Sequence, residues 1–153
     1  MKFHSTVLFV KSIKKSKDFY TRVLGFKVDY DFGNNLGFEG GISLWEIMPH
    51  HEIDKKLTTF DNSNRFELYF ESEEINDVYN ELKKEGVTFF QELVEESWGQ
   101  RTMRFFDPDR HLIEVGEPLN VFIRRLFQKE LSIVEIETKT GVSAEKIHKI
   151  LAS

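Results

Sequence analysis

The 153-residue sequence has no cysteine, which excludes both a disulfide framework and a thiolate metal site. It has no surplus of basic residues. A formal net charge of −5 argues against non-specific binding to nucleic acid by the chain as a whole. The N-terminus lacks an apolar signal region, and no apolar run is long enough to span a bilayer. A soluble, cytoplasmic protein with no membrane partner is the default expectation. What the chain does have is phenylalanine, 15 residues of it, as a well-filled core or an aromatic-lined pocket would require. The length suits one compact domain or two small repeats.

A repeat is visible. Val7-Leu8-Phe9-Val10 leads into a helical stretch from Ile13 to Leu24 that stops at Gly25. Phe66 to Phe70 leads likewise into a helical stretch from Ile75 to Glu85 that stops at Gly86. Each glycine precedes an aromatic, strand-like run, Phe26 to Tyr30 and Val87 to Phe90. Alternation along the first strand puts Ser5, Val7 and Phe9 on one face and His4, Thr6, Leu8 and Val10 on the other. Ser12 is placed to cap the first helix. Two or three short strands are expected between Lys27 and Ile47, and a polar linker from Met48 to Asn64. The second copy closes with a strand from about Trp98 to Phe106, a turn at Asp107-Pro108-Asp109-Arg110, and a last strand from His111 to Val115.

Beyond Pro118 the pattern becomes helical. Phe122 with Leu126, and Ile123 with Phe127, are spaced to meet on a helix. Ser132 to Glu135 is a capping-box sequence, Gly141 ends that helix, and Ser143 caps another carrying Ile147, Ile150 and Leu151. Leu131 to Leu151 resembles a helix-turn-helix core. Residues 120–153 hold six Lys or Arg against four Asp or Glu, a surplus of only two. Two capped helices packed on the sheet or on a second subunit are therefore preferred, and nucleic acid is not expected as a partner.

Lys11-Ser12-Ile13 through Phe19 to Phe26, together with Asp107-Pro108-Asp109 and Leu112-Ile113-Glu114, resemble the vicinal oxygen chelate superfamily. That group includes glyoxalase I, bleomycin-resistance proteins and extradiol dioxygenases. The resemblance covers residues 1–117. It implies an α+β fold in which two βαβββ modules, about 3–48 and 65–117, form a cup-shaped curved sheet. The helical extension, 118–153, stands apart. It also implies a homodimer, consistent with the need to cover the apolar tail residues Phe122, Leu126 and Phe127.

Metalloenzymes of the superfamily hold one divalent ion with about four side chains, two from each module. The Glu of the last strand matches Glu114. The first-strand His falls on Ser5, with His4 one position away on the opposite face. Ser5 lies eight residues before Ile13, as Glu67 lies before Ile75, so Glu67 takes the equivalent place in the second module. The remaining position falls near Ser43 and Trp45, with Glu46 out of register unless a bulge restores it. Glu67 and Glu114 are the metal candidates if a metal is bound, and a divalent ion is the cofactor left open. Two carboxylates without an aligned histidine make a poor transition-metal site, though they suit a water-rich Mg²⁺ or Mn²⁺. His50-His51 read as a solvated linker, and His111 as a packing residue at the turn exit.

With a four-residue turn after Phe106, Met103 would oppose Glu114, and Arg101 and Phe105 would share its face. The candidate ligand-binding set is therefore Trp45, Glu67, Trp98, Arg101, Met103, Phe105 and Glu114. The competing structural role for the two glutamates is an ion pair with Arg101 or Arg104. No catalytic residue is assigned. The expected function is binding of a small molecule, cationic or aromatic, at a degenerate metal site. The alternative is a divergent metal-dependent lyase, isomerase or dioxygenase.

Overall fold

The computed structural model describes residues 5–49 and 67–153. His4, His50 and His51 lie outside the described residues. The chain divides into two compact units, Met1–Arg65 with Asp107–His111, and Phe66–Phe106 with Leu112–Ser153.

The first unit contains β1 (Thr6–Val10), α1 (Ile13–Asp18), β2 (Val28–Asp31), β3 (Asn35–Phe38) and β4 (Ile42–Glu46). The sheet order is β1-β4-β3-β2, with β1 parallel to β4 and the other pairs antiparallel. Ser12 caps α1 through its side chain, which accepts from the Lys15 amide. The helix expected to continue to Leu24 instead widens after Asp18 into a π-turn, Phe19–Val23, where the Leu24 amide reaches back to the Phe19 carbonyl. Leu8, Val10, Leu36, Phe38 and Leu44 lie under this helical segment with Phe19 and Tyr20. The Tyr20 ring meets Phe38 and Phe26 at 5.5 and 5.6 Å between centroids.

The second unit repeats the order with β5 (Glu67–Glu71), α2 (Ile75–Lys84), β6 (Thr88–Glu95), β7 (Arg101–Phe106) and β8 (Leu112–Gly116). Its sheet order, β5-β8-β7-β6, is that of the first unit, strand for strand. Leu68, Ile113, Val115, Met103 and Phe105 are buried with Ile75 and Leu82 of α2. Three further helices follow: α3 (Leu119–Gln128), α4 (Ile133–Thr140) and α5 (Ala144–Ala152). The Ser132–Glu135 capping box opens α4, and Gly141, at φ 72°, ends it in the left-handed conformation a glycine takes without strain. Phe122, Ile123, Leu126, Ile136 and Ile147 form a core of their own. Phe122 and Leu126 therefore need no second subunit to cover them, which removes that argument for a dimer. Phe127 is half exposed.

The β7–β8 connection corrects the expected register. It is five residues long, Asp107 to His111, because Asp107 folds back on it. The Asp107 amide donates to the His111 carbonyl, and Asp107 Oδ1 accepts from the amides of Asp109 and His111. Arg104, not Met103, thus faces Glu114 across the strands. One residue of slip turns every side chain of a strand to the other face.

Candidate functional site

Each sheet has one face covered by its own helix and a second, open face that its helix leaves uncovered, where several side chains are nonetheless buried. In the first unit the open face carries Ser5, Val7 and Phe9, then Ser43 and Trp45, then Gly37 and Tyr30. Val7 pairs with Ser43, Gly37 with Ser43, and Tyr30 with Gly37. The Ser5 and Ser43 hydroxyls bond to each other at 3.0 Å. Trp45 packs edge-on against Phe9, with ring centroids 5.9 Å apart. Glu46 points the other way and accepts the Ile13 amide at 2.6 Å, holding the start of α1. A cleft of about 160 Å³ borders Ser5, Tyr30, Gly37 and Ser43. That is below the roughly 300 Å³ at which pockets hold drug-sized ligands.

In the second unit the equivalent row is Glu67, Glu114, Arg104 and Gln91. Tyr69 pairs with Glu114, Arg104 with Glu114, and Gln91 with Arg104. Arg104 is the centre of the row. Its Nη2 contacts Glu114 Oε2, its Nη1 bonds Glu96 Oε1 and Gln91 Oε1, each at 2.9 Å, and its Nε lies 3.5 Å from Glu67 Oε2. Thr102 and Gln91 also donate to Glu96 Oε1. Glu114 Oε2 is fully buried, and its contact with Arg104 is an ion pair without a well-directed hydrogen bond. Burial raises the Glu114 carboxyl above the usual carboxylate range, and the charge on Glu67 adds to this against the pull of Arg104. Glu96 is held below its usual value by the hydrogen bond from Arg104, then by that from Thr102. Tyr69, 46% exposed, lies beside Glu114, with its hydroxyl bonded to Gln100 and Glu71.

Of the sequence candidates, Glu67 and Glu114 are brought together, and Trp98 joins them through Gln100, whose side chain links the Trp98 indole to the Tyr69 hydroxyl. Met103 and Phe105 lie fully buried on the helix-covered face. Arg101 is on that face too, bonded to Asn76 of α2 and to Glu117. The one-residue difference in loop length puts these three on the face opposite to the expected one. Trp45 belongs to the first unit's open face. Glu96 and Tyr69 are absent from the expected set, and Arg104 enters it only as the competing ion-pair partner, the contact that the structure shows. Counting alternation back from a five-residue loop would have found Arg104.

Glu117 was also missed. It is wholly buried and accepts from Arg101 and Arg125, at 2.7 Å from each Nη2. Burial alone would raise its carboxyl, but the hydrogen bonds from Arg125 and Arg101 outweigh this and hold it below the usual range. Asp107 is a structural hub of the first unit, where its Oδ2 receives the buried Tyr20 hydroxyl at 3.1 Å and faces His111 Nδ1 at 2.7 Å. Burial, then the charge of Asp107, raises the Tyr20 hydroxyl far above its usual value.

Among the described residues, the side chains at these positions do not fit the divalent ion of the superfamily. Two of the four positions are serines bonded to each other, and the two glutamates are spread around a guanidinium. Among the described residues, no three His, Asp or Glu side chains converge in a metal-binding group. Nor is any helix there long and apolar enough to cross a membrane.

Residues 3–120 match the family described as the glyoxalase-like domain. A protein of unknown function from Agrobacterium tumefaciens str. C58 is 35% identical, with a TM-score of 0.68 over 78% of this chain and 95% of that one. A glyoxalase/bleomycin resistance protein/dioxygenase from Nocardioides shares the fold at 21% identity, with a TM-score of 0.61 over 76% of this chain and 83% of its own. The uncharacterized protein YraH of Bacillus subtilis (strain 168) is 27% identical over 129 residues, 78% of this chain and all of YraH. The chain belongs to the glyoxalase-like domain family, within the vicinal oxygen chelate superfamily.

Proposed function

We propose that the protein binds a small organic molecule, cationic and partly aromatic, at a degenerate metal site on the open face of the second unit. The observation that carries this reading is the Arg104 cluster. The carboxylates that would hold an ion are engaged by an arginine of the chain itself. Glu67, Glu96, Glu114 and nearby Glu71 outnumber that one cation, so the face retains negative charge. Tyr69 offers an exposed ring beside it for cation–π contact. A homodimer is proposed on the family resemblance alone; monomeric elution in light scattering at micromolar concentration would contradict it.

The test is a thermal-shift screen of untagged protein against aromatic amines and amidines, with metal analysis of the same preparation. A ligand of the native state raises Tm by mass action. We expect such a shift with aromatic cations, its loss in Glu67→Gln, no shift with matched aromatic anions, and no change of Tm on adding chelator. One tightly bound metal ion per chain, released by Glu114→Gln, would replace this reading with that of a metal-dependent enzyme.

A further inference from the structure

Arg104 explains more than the loss of a metal site. We infer that its guanidinium is the resident cation of the second unit's open face, and that this one residue determines that Glu67, Glu96 and Glu114 refuse a divalent ion. The inference deepens the metal-free reading of the site and rests on it.

The guanidinium reaches the three carboxylates through three different nitrogens: Nε toward Glu67, Nη1 toward Glu96 and Nη2 toward Glu114. The planar fork occupies the space among the three carboxylates, so Mg²⁺ or Mn²⁺, which needs oxygens at roughly 2.1 Å, would have to displace it to reach them. Arginine stays protonated at any working pH, so an incoming dication meets a fixed like charge. Arg104 is also held in place. Gln91 and Glu96 grip Nη1 from the β6 side, and its side chain is only 18% exposed. The sheet itself does not require a large side chain here, because the equivalent position in the first unit is Gly37, opposite Ser43 as Arg104 is opposite Glu114. The arginine answers to the glutamates, not to the strand geometry. Its removal would leave Glu114 as a buried carboxylate without its counter-ion, a state that an added cation would relieve.

The experiment compares full-length wild type with Arg104→Gln, Arg104→Lys and Arg104→His, titrated with Mn²⁺ alone by calorimetry and by the electron paramagnetic resonance of free Mn²⁺. Wild type and R104K should show no saturable binding. R104Q should bind Mn²⁺ at least about tenfold more tightly than either, worth about 1.4 kcal/mol. The gain should vanish in the R104Q/E114Q double variant. R104H should gain binding as the pH rises through the histidine range near 6.5. If the neutral variants unfold in metal-free buffer, recovery of native circular dichroism on adding Mn²⁺ supports the inference, and failure to recover counts against it. A metal-free wild type whose variants gain nothing overturns the role of Arg104 and leaves the binding function standing. A wild type that already holds Mn²⁺ as tightly as R104Q overturns both.

Discussion

The two sheets have one topology and chemically different open faces. Where the first carries Ser5, Ser43, Gly37 and Tyr30, the second carries Glu67, Glu114, Arg104 and Gln91 in the same register. The helix-covered faces stay alike, with Leu8 and Leu44 in one and Leu68 and Ile113 in the other. The repeat therefore conserves what a packed sheet needs and varies what faces outward. Each open face also reserves a glycine for a tyrosine. Gly37 makes room for the Tyr30 ring and Gly116 for Tyr69.

The largest effect should separate two buried glutamates of the second unit. Glu117 has two arginines and several directed donors, whereas Glu114 has Arg104 and a neighbouring carboxylate. Glu117→Gln leaves Arg101 and Arg125 without their shared charge and should cost about 3–5 kcal/mol, the range for breaking a buried pair. Its lowered carboxyl contributes stability that is present above the ordinary glutamate value, near 4.3, and is lost as pH falls through the folded value. The raised Glu114 carboxyl works in reverse. Its contribution is complete below the ordinary value and is lost as pH rises through the folded one. Glu114→Gln should therefore gain on wild type as pH rises above the ordinary glutamate value, while E117Q converges on wild type as pH falls below it. Urea denaturation on both sides of that value measures both. Parallel curves for the two variants would show that the two environments do not differ.

The glycines give a smaller effect. A Cβ on Gly37 would stand 2.2 Å from Tyr30 Cε1, far inside van der Waals contact with the ring, and one on Gly116 would stand 2.8 Å from Gln100 Nε2 and 3.0 Å from the Tyr69 hydroxyl. A ring must move bodily, whereas an amide end swings aside. Gly37→Ala should cost about 1–3 kcal/mol by overpacking, and Gly116→Ala less. Equal losses of Tm would mean that the Tyr30 ring is not held over its glycine.

Sequence alone conveyed the repeat because hydrophobic periodicity and helix stops are local signals. The resemblance points to Ser5, and its eight-residue spacing from the helix start carries that position to Glu67 in the second copy, since a strand and the helix after it are joined by a short, fixed connection. The β7 face was misread because loop length is a tertiary property. Asp107 consumes an extra residue by folding onto the Asp109 and His111 amides, and no periodicity records that. Arg104 accordingly changed from a competing structural partner to the centre of the row. The tail's separate core was hidden for a similar reason. Its helices were legible from their caps, but their closing on one another depends on contacts among Phe122, Ile136 and Ile147.

The smallest effect is expected from the tail. Its α4–turn–α5 pattern has helix-turn-helix spacing, and duplex affinity would have to come from cations presented together to phosphates. Most of the tail's cations are engaged within the chain. Arg125 reaches Glu117, Glu95 and the Gly99 carbonyl, and Lys129 also bonds Glu95. Arg124 binds the Ile150 carbonyl at the end of α5, and Lys149 pairs with Glu145 on the exposed side of that helix. Surface pairs such as Lys149–Glu145 are weak and could be exchanged for phosphate, but Arg125 could not leave a fully buried Glu117 without the cost already assigned to E117Q. The contrast with Arg104 is one of task. Arg104 neutralises carboxylates of an open face, whereas Arg125 fastens the tail to its sheet. Fluorescence anisotropy with a random duplex at low salt should therefore show no binding at micromolar protein. Salt-sensitive binding that survives Arg125→Lys but is lost in the Lys146→Ala/Lys149→Ala variant would assign α5 a nucleic-acid role and reverse the ranking of the tail as a structural extension.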